Sequence, residues 1–390
     1  MRVLFVSGAP YLAAGGAQRA NRILAEAMAP EHEVRVIGLA RERHGGSLGG
    51  FRAELARRGA TWQPGETADR FVIGGVSVIA GHRALDLPAV VVEEIRAFEP
   101  SCVLVSSEDY RQMLLRATIE DARFAGPIIY QARTVTSLPF GPYSADPSAS
   151  GLAWVRRCTS IAPCSYYARY MFEQAAIPAS VIYNDFRSHL DAPIAGDFDN
   201  PWVTMVNPCV LKGLSIFLGL ADVFPGATFA TVPTWGTTPD DLIALRRRPN
   251  VMILDPVEDT DEIWRRTKVL LVPSLWPEGL ANVVVEALMR GIPVIASNHG
   301  GLQEALCGAG TAIGVRTIER FSIKGGFPVA LSNPEQDLGP WYDTLGRLLH
   351  DREVYARAAA TGIEASHRFA RTTGASHYVD RLHGLTDQLT

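Results

Sequence analysis

Two glutamates in the second half of the chain stand where carboxylates could bind a polar ligand. Glu278 and Glu286 are separated by seven residues in the segment PSLWPEGLANVVVEALMRGIPVIAS. The segment predicts a turn around Glu278 and a helix that carries Glu286 in its second turn, among valines and leucines. A carboxylate buried there costs several kcal/mol unless it is paired or accepts hydrogen bonds, for example from a diol. The alternative is structural: Glu286 pairs with Arg290, and Glu278 favours the helix dipole.

The start of this helix is a candidate site for phosphate oxygens. The chain reads in order as a strand (KVLLVPS), a turn (LWPEG), a helix (LANVVVEALMR) that Gly291 ends, and a second strand (PVIAS). A helix that begins at the carboxyl end of a parallel strand presents free backbone N–H groups to an anion. These groups lie near residues 279–282, and Gly279 lets the backbone approach an anion closely.

These elements belong to a chain in which short apolar runs alternate with helical patterns. Continuous apolar runs predict strands buried on both faces of a parallel sheet, and their alternation with helices predicts doubly wound α/β domains. The predicted strands are VLFVS, EVRVIGL, FVIGGVSVI, CVLVS, PIIYQ, SIAPC and SVIYN in the first half, then WVTMV, ATFATV, NVMIL, KVLLVPS, PVIAS and TAIGV. The predicted helices of the first half are AQRANRILAEAM, LPAVVVEEIRAF and EDYRQMLLRATIEDA.

A polar stretch with proline and glycine, FRSHLDAPIAGDFDNPW, interrupts this alternation and predicts a linker. We therefore expect two Rossmann-like domains, residues 1–190 and 200–370, with a helix over about 372–390 that packs back on the first domain. In open α/β sheets, ligands bind beyond the carboxyl ends of the strands. Two such domains facing each other would place the ligand site in a central cleft.

Composition favours a soluble globular protein. The 390 residues suit two domains, and 47% are hydrophobic while 20% are charged. A net charge of -4 gives no basic surface for a nucleic acid. No apolar run approaches the roughly 18 residues that span a bilayer, and the first residues lack the pattern of a signal peptide. We expect a cytoplasmic protein with at most peripheral membrane contact.

The string PSLWPEGLANVVVEALMRGIPVIASNHGGLQEAL resembles the donor-site signature of family 4 glycosyltransferases. The resemblance implies the GT-B fold, catalysis without a metal, and retention of the anomeric configuration of the transferred sugar. In that family the first glutamate contacts sugar hydroxyls and the second binds the nucleotide ribose, which assigns these roles to Glu278 and Glu286. The backbone of Gly279, Leu280 and Ala281 would hold the diphosphate. Ala281 is a mild departure, because the family usually has a second glycine or similar small residue there.

A second segment, VTMVNPCVLKGLSIFLGLADVFP, is similar to the family's strand, loop and helix that carry a lysine for the diphosphate. Lys212 matches that lysine, and a compact cation beside a departing phosphate stabilises the developing charge. The alternative, a solvated lysine at a helix start, is unfavourable to the helix dipole. The family's usual arginine has no counterpart in this loop, where Pro208 stands near its place.

The beginning of the chain, VLFVSGAPYLAAGGAQRANRILAEAM, resembles the family's first strand, glycine-rich loop and helix. The resemblance implies that Gly15 and Gly16 let this loop approach the donor phosphate and sugar. A glycine-rich turn that serves only packing is the alternative. The GxGxxG pattern of dinucleotide-binding domains is absent after the strand.

The acceptor side departs from the family. Members commonly carry a histidine after a mid-domain strand, near the reacting sugar, whereas PIIYQARTVTSLPFGP places Arg133 and Thr134 at that point. We take both as candidate acceptor-side residues, with a purely structural loop as the alternative. In the loop SNHGG, His299 and the adjacent Gly300 are candidate contacts to the donor sugar.

The resemblance implies a hexosyltransferase that moves a sugar from a UDP, GDP or dTDP carrier to a hydroxyl of a glycan, lipid-linked or small-molecule acceptor. Glu278 and Lys212 are the predicted catalytic residues. We expect no metal or other cofactor, because the five cysteines have no ligand spacing and the DxD-like motif at 197–200 lies in the linker. The alternatives are a GT-B epimerase or phosphorylase and, outside enzymes, a two-domain sugar-binding protein.

Overall fold

The computed structural model describes residues 1–13, 15–40, 47–257, 259–324 and 327–386, which form two compact units. The first unit takes Met1–Asp185, Ile323–Pro328 and Ala375–Thr390, and the second takes Phe186–Ser322 and Val329–Gly374. The boundary after Asp185 falls at the start of the stretch predicted as a linker. Residues 387–390 of the predicted C-terminal helix lie outside the described residues.

The first unit contains an eight-stranded sheet. Its strands are β1 (Arg2–Pro10), β2 (Glu33–Leu39), β3 (Thr61–Gln63), β4 (Ala68–Ile73), β5 (Val76–Gly81), β6 (Cys102–Ser106), β7 (Ile128–Ala132) and β8 (Ser160–Pro163). Their order across the sheet is β3-β4-β5-β2-β1-β6-β7-β8. The strands from β5 to β8 in that order are parallel, and β3 and β4 are antiparallel to their neighbours.

Strand β1 is buried on both faces of the sheet, as its continuous apolar run predicts. Val3 and Phe5 join the hydrophobic cluster on one face, and Leu4 and Val6 join the cluster on the other. Successive side chains of a strand point to opposite faces, so an uninterrupted apolar run requires cover on both sides. The first unit therefore has the helix–sheet–helix layering of a doubly wound domain.

The run FVIGGVSVI, predicted as one strand, is a hairpin. Strands β4 and β5 are antiparallel and meet at Gly74 and Gly75, whose φ angles are +57° and +76°. Two successive positive φ angles give the tight turn whose twist matches that of a hairpin. The prediction was wrong because it followed the continuity of the apolar residues and not the Gly-Gly turn between them.

The run SVIYN, predicted as the next strand, is not a strand. The backbone N–H groups of Ser180 and Ile182 donate to the carbonyl oxygens of Ile161 and Pro163 at 3.1 and 3.0 Å. The segment thus lies beside the edge strand β8, and the sheet ends at β8. Apolar residues cover the sheet edge here without extending it.

The second unit contains a six-stranded parallel sheet, with every predicted strand present. Its strands are β9 (Trp202–Val206), β10 (Thr228–Val232), β11 (Val251–Ile253), β12 (Thr267–Val272), β13 (Val294–Ser297) and β14 (Thr311–Ile313), in the order β11-β10-β9-β12-β13-β14. A two-stranded sheet of β15 (Phe321–Lys324) and β16 (Phe327–Ala330) was not predicted.

The helices fill the connections between these strands. They are α1 (Gly16–Met28), α2 (Leu48–Arg57), α3 (Leu87–Phe98), α4 (Met113–Arg116), α5 (Ala149–Val155), α6 (Tyr166–Gln174), α7 (Leu214–Val223), α8 (Pro239–Arg246), α9 (Asp261–Trp264), α10 (Asn282–Met289), α11 (Leu302–Ala305), α12 (Gly339–His350), α13 (Arg352–Ala370) and α14 (Ser376–Thr386). Helices α1 and α3 confirm the prediction. The helix predicted over EDYRQMLLRATIEDA is shorter, since α4 continues only as a π-helical turn, Ala117–Asp121.

Both parallel sheets contain a point where the strand order reverses. In the second unit, β9 lies between β10 and β12, and in the first, β1 lies between β2 and β6. At such a point the loops that leave the two adjacent strands turn to opposite faces of the sheet and leave a crevice at the carboxyl ends. The residues that follow β9 and β12, or β1 and β6, are therefore the ones placed to hold a ligand.

Candidate functional site

Lys212 and Glu278, predicted from separate motifs, are in direct contact. The ammonium Nζ of Lys212 lies 2.5 Å from the Oε1 atom of Glu278. The hydroxyl of Ser274 donates to the same carboxylate oxygen, also at 2.5 Å. Glu278 is only 6% exposed, so these two donors replace the hydrogen bonds that its carboxylate would make with water. The sequence did not identify Ser274, which lies in the same loop as Glu278.

The two loops that carry this pair follow β9 and β12, the strands on either side of the order reversal. After β9, a short 3-10 turn places Lys212 just before Gly213, whose φ is +79°. A Cβ added at Gly213 would lie 1.9 Å from the carbonyl oxygen of Pro273, the first residue of the loop that follows β12. Glycine is therefore required both by the backbone conformation and by the close approach of the two loops.

Two tryptophans enclose the Lys212 ammonium. Its Nζ lies 4.8 Å from the ring centroid of Trp276 and 6.0 Å from that of Trp235. The two rings are 5.7 Å apart and tilted by 47°. A cation over an aromatic face is stabilised by the ring quadrupole, so these rings fix the ammonium beside Glu278. The sequence offers a signal for Trp276 inside PSLWPEG, but none for Trp235, which follows β10.

The helix α10 begins at Asn282, within the span predicted for the phosphate-binding turn. Ala281 is its N-cap residue and has φ +57° and ψ +73°, the left-handed conformation that glycine adopts more easily. No side chain caps the helix start. Gly279 and Leu280 precede this cap in the turn after Glu278, and both are buried. Ala281 thus adopts a backbone conformation that favours glycine, the small residue the family resemblance leads one to expect there.

Glu286 is buried in the second turn of α10, with 6% of its surface exposed. The structural alternative requires an ion pair with Arg290. The Arg290 guanidinium instead forms its ion pair with Asp261, at 2.7 Å, and donates a second hydrogen bond to the backbone carbonyl of Glu286. Arg290 therefore serves the packing of α10 on α9, and does not neutralise the Glu286 carboxylate.

The His299–Gly300 loop packs on the turn that carries Glu278. Gly300 has φ +64°, and a Cβ there would lie 2.6 Å from the Glu278 backbone nitrogen. The N–H of Gly301 donates to the Glu278 carbonyl at 2.9 Å. Burial lowers the pKa of His299 below its ordinary value, while the charge of the neighbouring Glu278 opposes this shift. The neutral imidazole is therefore the favoured form beside Glu278 at neutral pH.

In the first unit, Gly15 is the N-cap of α1 and Gly16 is its first residue. Gly15, which has no side chain, supplies no side-chain cap. A Cβ at Gly15 would lie 2.0 Å from the Oε1 atom of Gln18, one turn into the helix. The loop after β1 therefore approaches the side chain of Gln18 closely, in the same crevice region as the end of β6.

Arg133 follows β7 and is buried, with 6% of its surface exposed. Its Nε donates to the Asn21 side-chain oxygen at 3.0 Å, and its Nη1 donates to the Asn184 side-chain oxygen. Thr134 differs from Arg133, since its hydroxyl lies 3.2 Å from that of Thr136 within its own loop. The structure thus places Arg133 in a polar cluster and Thr134 in a local turn.

The polar cluster around Arg133 includes residues that the sequence did not identify. The Asn21 amide donates to the Ser106 hydroxyl at 3.1 Å, and Ser106 donates to one oxygen of Glu108 at 2.9 Å. Gln18 donates to the other Glu108 oxygen at 3.0 Å. Burial raises the pKa of Glu108 above its ordinary value, and the Ser106 hydrogen bond and the Arg133 charge oppose the shift. Only the position of Ser106 at the end of a buried strand and of Glu108 just after it could have indicated them.

The motif at 197–200 forms a local turn. The backbone N–H of Asp199 donates to the Asp197 carboxylate at 2.8 Å, and Asp199 pairs with Arg352 at 2.8 Å. Among the described residues, no three His, Cys, Asp or Glu side chains are grouped so that they could hold a metal ion. No described helix is long and apolar enough to cross a membrane.

Comparison with solved structures identifies the class of fold. HepE of Anabaena, solved with UDP-glucose, matches with a TM-score of 0.69 at 16% identity over 100% of both chains. Sucrose-phosphate synthase of Thermosynechococcus elongatus matches with a TM-score of 0.70 at 15% identity over 100% of this chain and 99% of that one. A variant of TarM from S. aureus, in complex with fondaparinux, α-GlcNAc-glycerol and UDP, matches with a TM-score of 0.69 at 9% identity over 99% and 100%. The chain has the GT-B fold of these proteins, with two Rossmann-like units.

The family model described as "Glycosyl transferases group 1" matches residues 227–322. This segment of the second unit runs from β10 to β15 and contains Glu278, Glu286 and His299. The resemblance found in the sequence is thereby confirmed for group 1 glycosyl transferases and for the GT-B fold, while membership of family 4 stays a prediction. A search of curated proteins gave no significant match.

Proposed function

We propose that this protein transfers a sugar, with retention, from a nucleotide diphosphate to an acceptor hydroxyl. The observation that carries the proposal is the contact of Lys212 with Glu278 where the strand order of the second sheet reverses, beside the uncapped start of α10. One cation, one carboxylate and free backbone N–H groups are the groups needed to bind a diphosphate and a sugar diol. The group 1 family model over this segment supports the same conclusion.

Each predicted donor residue has a role in this proposal. Lys212 and the backbone of 279–281 stabilise the negative charge that develops on the leaving diphosphate. Glu278 accepts hydrogen bonds from sugar hydroxyls, and Glu286 accepts them from the ribose. Because Lys212 contacts Glu278 before a donor arrives, donor binding exchanges one ion pair for two new contacts: Lys212 to phosphate, and Glu278 to sugar.

The chemistry needs no strong base and no metal in this proposal. The bond from the anomeric carbon to the diphosphate oxygen breaks, and the acceptor oxygen bonds to that carbon on the same face, which retains the anomeric configuration. The departing phosphate takes the proton of the acceptor hydroxyl. His299 and Gly300 lie beside Glu278 and contact the sugar, and Gly15 and Gly16 are further proposed donor contacts. The donor is a UDP, GDP or dTDP sugar. The acceptor is a glycan, lipid-linked or small molecule.

Nucleotide binding is tested by thermal shift with UDP-, GDP- and dTDP-sugars, because a ligand that binds only the folded state raises its stability. The sugar that binds is then incubated with the protein and simple alcohols, and the products are analysed by NMR. Lys212→Ala and Glu278→Ala should each reduce transfer by about 100-fold or more while the fold is kept. Lys324→Ala, an exposed lysine, is the matched control.

The products separate this proposal from its alternatives. A transferase forms a glycoside of retained configuration together with a nucleoside diphosphate, and chelation of divalent metals leaves the rate unchanged. Epimerised donor without an acceptor would indicate an epimerase, and dependence on orthophosphate a phosphorylase. Tight binding of free sugar with no nucleotide requirement would indicate a binding protein. Wild-type transfer in both alanine variants would overturn the site.

A further inference from the structure

Arg133 is a buried cation without a carboxylate partner among the described residues. Its side chain is 6% exposed in total, and no described carboxylate oxygen lies within the 4.0 Å of an ion pair. Its two side-chain hydrogen bonds go to neutral amide oxygens, those of Asn21 and Asn184. Two other buried charges of the first unit differ, since Asp69 is paired with Arg52 at 2.7 Å and Glu94 with Arg35 at 2.8 Å.

One edge of the Arg133 guanidinium is open. Nε and Nη1 are used by the two asparagines, and the backbone N–H of Arg133 donates to the Ser107 hydroxyl at 3.0 Å. Nη2 donates to no described residue, and it is not closed off from solvent. The ring of Tyr378, 5.6 Å from the guanidinium carbon, supports the group from one side. Held in this way, the guanidinium presents Nη2 as a fixed hydrogen-bond donor to a ligand.

The Glu108 carboxylate acts on Arg133 from beyond ion-pair distance. Glu108 is close enough to act on Arg133 electrostatically, but its two oxygens are used by Gln18 and Ser106. Burial raises the pKa of Glu108, so this carboxylate is protonated at a higher pH than an ordinary glutamate. A buried guanidinium with so little compensation costs several kcal/mol, and this cost is recovered when an anion binds.

The position of Arg133 is that of a ligand contact. It follows β7, next to the ends of β6 and β1, where open α/β sheets bind ligands. The planar fork of arginine matches the geometry of phosphate and carboxylate groups.

We propose that Arg133 is an anion-binding residue of the first unit and that the acceptor bears a phosphate or carboxylate group. The proposal rests on the glycosyltransferase function proposed above and adds the chemical class of the acceptor. Arg133 binds the anion through Nη2, while Asn21 and Asn184 hold the guanidinium in place.

The test uses the full chain with Lys212→Ala, which weakens the donor phosphate site of the second unit. Sodium phosphate and sodium D-glucuronate are titrated and the melting temperature is followed, with D-glucose and sodium chloride of equal ionic strength as control solutes. We expect phosphate or glucuronate to raise the melting temperature. The one that does so identifies the anionic group. Adding Arg133→Gln should weaken this binding at least tenfold, while Arg157→Gln, at an arginine with 54% side-chain exposure, should not.

Three results would overturn the proposal. The first is a melting-temperature shift with both anions that is no larger than the shift with glucose or sodium chloride. The others are a shift that Arg133→Gln leaves unchanged, and a shift that the wild type shows but the Lys212→Ala chain does not. If Arg133→Gln does not fold, Arg133→Lys keeps the charge without the fork, and reduced but measurable anion binding is expected. UDP should bind Arg133→Gln within about twofold of the wild-type affinity. Loss of UDP binding in Arg133→Gln would assign Arg133 to donor binding and not to acceptor binding. Absence of nucleotide binding in the wild type, with the anion effect intact, would reject the proposed function and not this site.

Discussion

The Glu278 carboxylate has two opposing effects on a donor. It binds the sugar in the proposed function, yet it is a negative charge in contact with the lysine that must hold the diphosphate. Its presence therefore weakens the binding of a nucleotide that lacks the sugar, because Lys212 must leave its counter-ion. The two effects can be separated by removing the charge while keeping the shape.

Glu278→Gln should bind UDP about threefold or more tightly than the wild type and transfer sugar about 100-fold more slowly. Calorimetric titration with UDP and initial rates with the identified donor measure the two effects. Glu304→Gln, on the neighbouring helix α11, is the control. Weaker UDP binding in Glu278→Gln would show that the carboxylate orders Lys212 and does not compete with the phosphate.

Glu108 should make the stability of the protein depend on pH. Because burial raises its pKa, the folded state favours the protonated form. This contribution is complete below the ordinary pKa of a glutamate and is lost as the pH rises through the raised value. Glutamine cannot ionise, so the unfolding free energy of Glu108→Gln relative to wild type should increase as the pH rises above the ordinary pKa of a glutamate.

Urea denaturation at several pH values measures this difference. The exposed Glu31→Gln should show no such trend. A Glu108→Gln difference that is constant or falls with pH would mean that the Arg133 charge outweighs burial at Glu108.

At the scale of elements, the close approach of the loops after β9 and β12 makes Gly213 a sensitive position. Gly213→Ala would place a Cβ 1.9 Å from the Pro273 oxygen and also requires φ +79°. We expect a loss of about 2 kcal/mol or more in unfolding free energy, and weaker UDP binding because Lys212 adjoins this residue. Chemical denaturation and UDP titration check both effects.

Gly226→Ala is the control for Gly213, since an added Cβ there meets nothing within 4 Å. Its unfolding free energy should change by less than about 0.5 kcal/mol. If Gly213→Ala behaved in the same way, the two loops would be free to separate, and the contact of Lys212 with Glu278 would not depend on their packing.

The sequence predicted the elements whose signals are local. Strand β9 to strand β14 and helix α10 follow from apolar runs, a turn and a terminal glycine, and the Lys212 and Glu278 motifs lie within them. What it did not predict depends on contacts between distant residues: Asn21 and Ser106 are 85 positions apart, and Arg133 and Asn21 are 112 apart. The hairpin at Gly74 and Gly75 is different, because its turn signal was present and was outweighed by the apolar run around it.

At the scale of the whole molecule, this chain resembles the solved structures far more in fold than in sequence. The solved GT-B structures match nearly the whole chain at 9 to 16% identity, whereas the family model covers only residues 227–322. The donor segment carries chemistry in its residue types, so its sequence pattern is recognisable. The first unit keeps the same layers of helix and sheet with other residues.

Helix α14 completes the core of the first unit although it follows the whole of the second. Tyr378 and Leu382 are buried in the cluster that contains Val3 and Phe5. Leu382→Ala should lower the melting temperature of the protein and cost about 2 to 4 kcal/mol, because it leaves a cavity in that core. Calorimetry measures the loss, and UDP affinity well below the melting temperature should be unchanged because Lys212, Glu278 and Glu286 lie in the second unit.

Asp380→Ala, an exposed position on the same helix, should have little effect. Weakened UDP binding in Leu382→Ala, at a temperature where the protein is folded, would contradict the independence of the donor residues from this core.

The place of α14 in the chain also affects how the protein is made. A ribosome completes Asp185 long before it reaches Ser376, and at about 5–20 residues per second the delay is on the order of ten seconds or more. During that time the nascent first unit lacks Tyr378 and Leu382 and exposes the apolar surface that they later cover. The second unit, whose segments are all synthesised by Gly374, can therefore finish folding before the first. The order of folding is then the reverse of the order in which the two units begin along the chain.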